Sequence, residues 1–142
     1  MKKIAAILLV AIMLVSLASC SGAGRTTALK LTTGGVSGTY YPYGGAMAQI
    51  FSSKMNNVKV TANTSGASAE NIRLVGKVSK NDGADLGIVQ NDVMAYAYEG
   101  VEQFSEGKID TFRTIATLYP EYIQIVVAKD SGINSIADMK GK

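Results

Sequence analysis

Apolar and polar residues alternate in two stretches of the chain, and a third stretch is almost continuously apolar. The alternation covers residues 29–32 and 58–62, and its period of two is typical of a half-buried β-strand. Residues 84–89 are interrupted only by Asp85 and have the length of a short buried strand. The pattern therefore predicts three strands.

Each predicted strand is followed by a polar loop and then by residues spaced as in a helix. The apolar residues that would line one face of the first helix are Met47, Ile50, Phe51 and Met55. A second helix is predicted over residues 68–80 with Ser68 as its N-cap, and a third begins at Asn91 and Asp92. Strands that alternate with helices at this spacing favour an α/β fold with a parallel sheet and helices on its faces.

The pattern weakens after the third helix. Residues 100–110 are charged and are predicted to form a surface excursion, whereas residues 113–118 return to strand character. Pro120 interrupts that stretch before an apolar run over residues 123–128, and Ser135 is placed to cap one helical turn. A parallel α/β unit would continue into another strand here, so we expect the chain to be a truncated, N-terminal fragment.

Residues 1–19 have the composition of an export signal peptide. Two lysines precede an apolar run that is shorter than the roughly 20 residues of a membrane-spanning helix. Residues 17–20, Leu-Ala-Ser-Cys, resemble the lipobox of bacterial lipoproteins, which implies that Cys20 carries acyl chains such as palmitate and begins the mature chain. A stable transmembrane anchor and a chance cysteine after an ordinary cleavage site are the alternatives.

Composition and charge narrow the class of partner. The chain has 142 residues and is 47% apolar, which is enough for about one packed domain. Loss of residues 1–19 removes Lys2 and Lys3 and leaves 12 Lys and Arg against 11 Asp and Glu, a net charge of +1. Because no block of basic residues remains, we expect no nucleic-acid partner.

Several kinds of catalytic and cofactor site are missing from the sequence. The chain has no histidine and one cysteine, so it has no Ser-His-Asp triad, no Cys-His dyad and no histidine metal site. Ser105 and Lys108 fit the S-x-x-K pattern, but the companion motifs are absent, and no carboxylates are spaced as a catalytic pair. Neither G-x-x-x-x-G-K-[ST] nor G-x-G-x-x-G occurs. We therefore predict no enzyme, no metal and no cofactor.

The loop over residues 32–47, TTGGVSGTYYPYGGAM, has the composition of a binding loop. Its glycines allow a ligand to approach the backbone, the start of a helix favours an anion, and tyrosines supply flat apolar walls. A glycine turn needed only for tight packing is the alternative. Residues 64–68 form a second small polar loop, and Gln90 and Asn91 follow the third strand. Since loops at the carboxyl ends of parallel strands gather at one edge, we expect the three to line one crevice for a small polar solute.

Four blocks of the sequence, in order, resemble the TAXI family of solute receptors from tripartite ATP-independent periplasmic (TRAP) transporters. The resemblance runs from about residue 30 to residue 142. The blocks are GVSGTYYPYGGAMA, TSGASAENIRLV, ADLGIVQNDVMAYAYEG and IATLYPEYIQIVVAKDSGINSIADMKGK.

The resemblance implies a two-lobed fold like that of type II periplasmic binding proteins, with most of the second lobe absent. A tether over residues 20–28 would precede lobe one at residues 29–118, and residues 119–142 would form the crossover and the start of lobe two. The ligand-binding residues implied are Thr39, Tyr40, Ser65, Ser68, Gln90 and Tyr119. For Ser68, a plain N-cap role is the alternative.

The function implied is capture of a small carboxylate or amino acid, such as glutamate or glutamine, and its delivery to the TRAP permease subunits in the membrane. The receptor would be extracytoplasmic and held by lipid on Cys20 to a bacterial membrane, in the periplasm or on the outer face of the cell. A lipid-anchored solute sensor that presents its ligand to a signalling partner is the alternative function, and an enzyme is a third.

Overall fold

Three parallel strands form the sheet of the computed structural model, which describes residues 25–77 and 82–142. The strands are β1 (Thr27–Thr32), β2 (Val58–Asn63) and β3 (Leu86–Gly87), in the order β2-β1-β3. β1 pairs with β2 over six residues, from Thr27 opposite Val58 to Thr32 opposite Asn63, and with β3 over two. The predicted parallel sheet is confirmed. The predicted signal peptide and Cys20 lie outside the described residues.

A helix follows each strand: α1 (Tyr40–Lys54), α2 (Ser68–Val75) and α3 (Asn91–Glu99). The prediction for α1 is right about the helix but partly wrong about its buried face. Gly44 and Ala48 are the buried residues, whereas Ile50 and Met55 are 55% and 50% exposed. Small residues are buried because they allow the helix axis to lie close to the sheet.

The helices cover both faces of the sheet. Leu31 packs in a buried cluster with Ala48 of α1, and the next residue, Thr32, donates a hydrogen bond from Oγ1 to Oδ1 of Asn71 in α2. Successive residues of a strand point to opposite faces, so α1 and α2 flank opposite sides. The first cluster consists of Leu31, Ala48, Val60 and Ile88. The second cluster, on the α2 and α3 side, consists of Ile72, Val93, Ala97, Phe104 and Phe112.

The strand order creates a switch point between β1 and β3. The chain leaves β1 through α1 on one face, whereas it leaves β3 through α3, which packs with α2 on the other face. Neighbouring strands whose connections depart to opposite faces open a crevice beyond their carboxyl ends, which is where open α/β sheets bind ligands.

Residues 100–110 are not the simple surface excursion that their charge predicts. They contain a 3₁₀ helix, Glu102–Phe104, and the Phe104 side chain is only 2% exposed in the second cluster. The guanidinium carbon of Arg73 lies 4.8 Å from the centre of the Phe104 ring. The segment is therefore anchored to α2 by an aromatic side chain and a cation–π contact, which a pattern of charges does not reveal.

Residues 113–142 form a separate compact unit, since the first unit ends at Phe112. The strand predicted over residues 113–118 is not formed, and the apolar run over residues 123–128 is not a strand either. Ile115 is 83% exposed and Ile123 is 93% exposed. Strand-forming residues need a neighbouring strand to pair with, and in the described part of the chain these residues have none.

The helical turn predicted after Ser135 is present as a 3₁₀ helix, Ile136–Met139. A capping box forms there, because the Ser135 side chain accepts from the Asp138 amide and the Asp138 carboxylate accepts from the Ser135 amide at 2.8 Å. The Asp138 carboxylate also accepts from the Ser135 hydroxyl at 3.0 Å. Across residues 25–77 and 82–142, no helix has the length and apolar character needed to cross a membrane.

Candidate functional site

The loops that follow the three strands meet at the carboxyl edge of the sheet, defined here by residues 33–39, 64–67 and 88–90. The Ser65 amide donates to the Gly34 carbonyl oxygen at 3.2 Å, which joins the first loop to the second. The Gln90 amide donates to the Ser68 hydroxyl at 3.0 Å, which joins the third loop to the start of α2. The predicted convergence of the loops at one edge is confirmed.

Gly34 lies where the first two loops touch. A Cβ atom at this glycine would lie 3.4 Å from Cβ of Tyr40 and 3.8 Å from Cβ of Ala67. The start of α1 and the loop before α2 therefore flank the same backbone position from two sides. A Cβ atom at these distances would make only ordinary van der Waals contacts, so the space at this position does not by itself require glycine.

Asn71 of α2 connects all three strand ends from below the loops. Its side chain is fully buried, and its Nδ2 donates to the carbonyl oxygens of Thr33 at 2.6 Å and Ile88 at 2.7 Å. Its Oδ1 accepts from the hydroxyls of Thr32 at 2.7 Å and Ser65 at 2.6 Å. The amide thus uses both of its donors and both of its acceptor lone pairs.

The sequence analysis did not single out Asn71, although a signal was present. Asparagine is unfavourable inside a helix because its amide competes with the backbone for hydrogen bonds. In α2 it follows Ser68 by three residues and precedes Ile72, so it lies on the face of the helix that is buried. A helix former would be expected there, and a polar residue in that position indicates a buried hydrogen-bonding role.

Five carbonyl oxygens at or next to the ends of the strands accept hydrogen bonds within the protein. Thr32 accepts from the Ile88 amide at 3.1 Å, and Asn63 accepts from the Thr33 amide at 3.0 Å and the Thr33 hydroxyl at 2.7 Å. Asn71 donates to the carbonyl oxygens of Thr33 and Ile88, and the Ser65 amide donates to that of Gly34. Each of these five carbonyl oxygens therefore has a donor within the protein.

The helices start at this same edge, and their first N–H groups lack partners within the helix. Such groups carry positive partial charge, which favours a carboxylate or another anion over a cation. Glu70 and Asp92 lie in the first turns of α2 and α3, where their carboxylates accept from the Gly66 and Val93 amides. The first turn of α1 has no acidic residue, so this is the helix start best suited to an anionic group.

The backbone of the second loop is strained at Ala67. This residue has φ 67° and ψ −150°, a region that is almost confined to glycine. Its backbone N–H donates to the Ser65 hydroxyl at 3.1 Å. Its carbonyl oxygen accepts from the backbone N–H of Asn71 at 2.9 Å. The preceding Gly66 amide donates to the Glu70 carboxylate. These contacts hold the loop in its unusual conformation.

Three of the six predicted ligand-binding residues, Thr39, Ser65 and Gln90, lie within the carboxyl edge, and Tyr40 and Ser68 directly follow it as the first residues of α1 and α2. Thr39 is exposed at the N-cap position of α1, and Tyr40 is half-buried against the Leu31 cluster. Ser65 is half-buried, Ser68 is 6% exposed, and Gln90 is exposed at the N-cap position of α3. Their contact with a ligand stays a prediction.

The predicted N-cap role of Ser68 is wrong. Ala67 occupies the N-cap position of α2, and Ser68 is the first helical residue. Its hydroxyl accepts from the Gln90 amide instead of an amide of its own helix, because β3 ends beside the start of α2. This long-range partner cannot be read from local sequence.

Tyr119, the sixth predicted residue, belongs to the unit formed by residues 113–142, where it is half-buried. Its ligand contact stays a prediction, as does the lipid on Cys20. Among the described residues, no group of three or more acidic or cysteine side chains is placed to hold a metal ion.

One comparison with known proteins bears on the whole of this region. The sequence profile of a family described as the NMT1-like family matches residues 31–142. The match begins at the end of β1 and includes the three loops of the carboxyl edge, Asn71 and the unit after Phe112.

Proposed function

The chain belongs to the NMT1-like family, a family of proteins like the periplasmic binding proteins, and on that premise we propose that it is an extracytoplasmic solute-binding receptor. Proteins of this family generally bind a small molecule without transforming it, so we propose no reaction. The described α/β unit, a parallel sheet flanked by helices, suits one lobe of such a receptor.

The observation that carries the proposal is the linkage of three loops at one edge of the sheet. Residues from the loops after β1, β2 and β3 are joined by the Ser65–Gly34 and Gln90–Ser68 hydrogen bonds and by the Asn71 amide. A set of loops that is fixed before binding loses little entropy when a ligand arrives. This favours a binding site over a surface of independent turns.

The solute we propose is a small carboxylate or amino acid of the glutamate or glutamine kind. The start of α1, which has no acidic residue in its first turn, supports an anionic group, and the likeness of four sequence blocks to TAXI receptors supports this class. Delivery to a TRAP permease, a lipid anchor on Cys20 and a contact from Tyr119 complete the proposal, and all three rest on the resemblance.

Titration calorimetry with L-glutamate, L-glutamine, succinate and a cationic control, L-lysine, tests the proposal. We expect binding of at least one of the first three and none of L-lysine. Gln90→Ala should weaken binding, because the side chain is exposed at the carboxyl edge. Gln49→Ala is the matched control, since this exposed amide lies in the middle of α1 and should leave the affinity unchanged.

Absence of binding across the anionic and zwitterionic members of the panel would count against solute capture of this class. Equal losses in Gln90→Ala and Gln49→Ala would place the site elsewhere on the molecule. Consumption of a bound solute during the titration would instead support an enzyme.

A further inference from the structure

The side chain of Asn71, in α2, bonds to groups that follow all three strands. The Ser65–Gly34 bond joins two loops, and the Gln90–Ser68 bond joins a loop to a helix. Asn71 reaches Thr33 after β1, Ser65 after β2 and Ile88 after β3 at 2.6–2.7 Å. A shift of this amide would therefore displace every wall of the crevice.

We propose that Asn71 is a positioning residue for solute binding, which fixes the three loops in the arrangement that receives the ligand. The proposal rests on the proposed solute-binding function. Asn71 is fully buried and lies beneath the loops, so it acts through the groups that it holds and not by touching the solute.

Stability alone is a poor explanation for an asparagine here. Burying an amide costs desolvation, and asparagine disfavours the helix interior. The adjacent Ile72, which is 1% exposed, already supplies apolar packing from the same face of α2. What an apolar residue could not supply is directed bonding to three separate loops.

The Nδ2 atom has a second consequence for the crevice. It draws the Thr33 and Ile88 carbonyl oxygens toward one point, on the two strands that flank the switch point. Two acceptors so close together would repel each other without a donor between them. Without Asn71, both carbonyl oxygens would lose this shared donor, and the two loops would lose the link between them.

Two substitutions separate positioning from packing. Asn71→Asp keeps the shape of the side chain but replaces the donor Nδ2 with an oxygen, and Asn71→Ala removes the group without adding charge. Ile72→Val and Ile72→Ala are the controls, since they remove neighbouring packing and leave the loop hydrogen bonds in place. Thr32→Val removes one bond to Oδ1 at constant shape and serves if both Asn71 variants fail to fold.

The first readout is the affinity for L-glutamate by titration calorimetry, well below the melting temperature of each variant. We expect about a tenfold or greater loss for the Asn71 variants, because small displacements of binding groups are costly, and little change for the Ile72 variants. Thr32→Val should lose affinity in the same direction by a smaller factor. An Asn71 variant that binds as tightly as the native protein would overturn the proposal, as would an equal loss in an Ile72 variant of matched stability.

The second readout does not need a ligand. Amide hydrogen exchange at Ser65, Ile88 and Gln90 should accelerate by about tenfold or more in Asn71→Ala relative to amides within β1 and β2, whereas Ile72→Ala should affect all of them alike. Uniform acceleration in Asn71→Ala would mean a purely structural role and would overturn the inference. If the native protein does not bind the panel, the proposed function fails, and the exchange pattern still decides whether Asn71 positions the loops.

Discussion

At the scale of single residues, Ala67 holds a backbone conformation that suits glycine. Its φ of 67° and ψ of −150° bring Cβ too close to the neighbouring backbone, at a cost of about 1–3 kcal/mol. We expect Ala67→Gly to raise the free energy of unfolding by about 1 kcal/mol, after the larger entropy of glycine in the unfolded chain is deducted.

Chemical denaturation measures this effect, and Ala46→Gly is the control. Ala46 is exposed in α1, where glycine should lower the stability by about 1 kcal/mol. A loss of stability in both variants would show that Ala67 is not strained.

Asp138 gives a pH dependence with a definite sign. Hydrogen bonds from the Asn134 amide, the Ser135 hydroxyl and the Ser135 amide lower the pKa of Asp138 below its ordinary 3.8. Because the pKa of this carboxyl is lower in the folded than in the unfolded state, its ionised form stabilises the capped turn. The stabilisation is complete at pH values above the pKa of the unfolded state, and it is lost as the pH falls through the pKa of the folded state. The turn should therefore open in acid, below pH 3.8.

Carboxyl NMR shifts followed through an acid titration give the pKa of Asp138 directly. Ser135→Ala should raise this pKa because it removes a donor to the carboxylate. Ser131→Ala should leave it unchanged, since that hydroxyl accepts from the Ile133 amide instead. A pKa that does not move in Ser135→Ala would contradict the hydrogen bond from the Ser135 hydroxyl to the carboxylate.

The sequence predicted which loop residues gather at the carboxyl edge but not how they bond. Ser65 and Gln90 were predicted from their place after a strand, and both lie at the edge. Apart from Ser65, which lies six residues before Asn71, the partners of Ser68 and Asn71 lie 17 to 39 residues away along the chain, and no local pattern encodes them.

At the scale of the elements, the packing of α1 against the sheet depends on Gly44. A Cβ atom there would collide with Cγ2 of Thr33 and meet Cδ1 of Ile88 at 3.4 Å. Thr33 cannot rotate away without losing the bond from its hydroxyl to Asn63. We expect Gly44→Ala to lower the free energy of unfolding by about 1–3 kcal/mol.

Gly45→Ala is the matched control in the same helix. Nothing lies within 4 Å of a Cβ atom at Gly45, so alanine should stabilise the helix by about 0.5–1 kcal/mol. Thermal melting of the two variants should therefore shift in opposite directions, and a similar shift in both would contradict the close approach at Gly44.

The three strands and three helices up to residue 99 were predictable from local patterns, because β1 and β2 alternate, β3 is a short apolar run, and a polar loop and a helix start follow each strand. The segment over residues 113–128 was not, although its residues favour strands. A helix satisfies its backbone within itself, whereas a strand needs a partner, so residue composition alone cannot place a strand in a sheet.

At the scale of the whole molecule, the two units should differ in their resistance to proteolysis. Both buried clusters lie at or before Phe112, whereas residues 113–128 have no helix or strand. Tyr122 is 79% exposed, so chymotrypsin should cut after it before it cuts at Tyr96 within α3.

Mass spectrometry of brief digests identifies the first fragment, and Tyr122→Ser should slow its appearance. Equally rapid early cleavage at Tyr96 would show that α3 is less stable than its packing against α2 indicates. A first fragment that ends near Tyr122 would support a stable unit up to Phe112.

The sequence by itself determined that the chain alternates strands with helices and that polar loops follow the strands. It also determined that the chain has no histidine and no second cysteine, so that it has no site built on histidine and no disulfide bond within the chain. These follow from local periodicity and composition. Only the tertiary structure decided that Asn71 joins the strand ends and that Gly44 allows α1 to pack closely against the sheet. Both depend on which distant segments become neighbours, and strand order and helix packing, not local spacing, determine that.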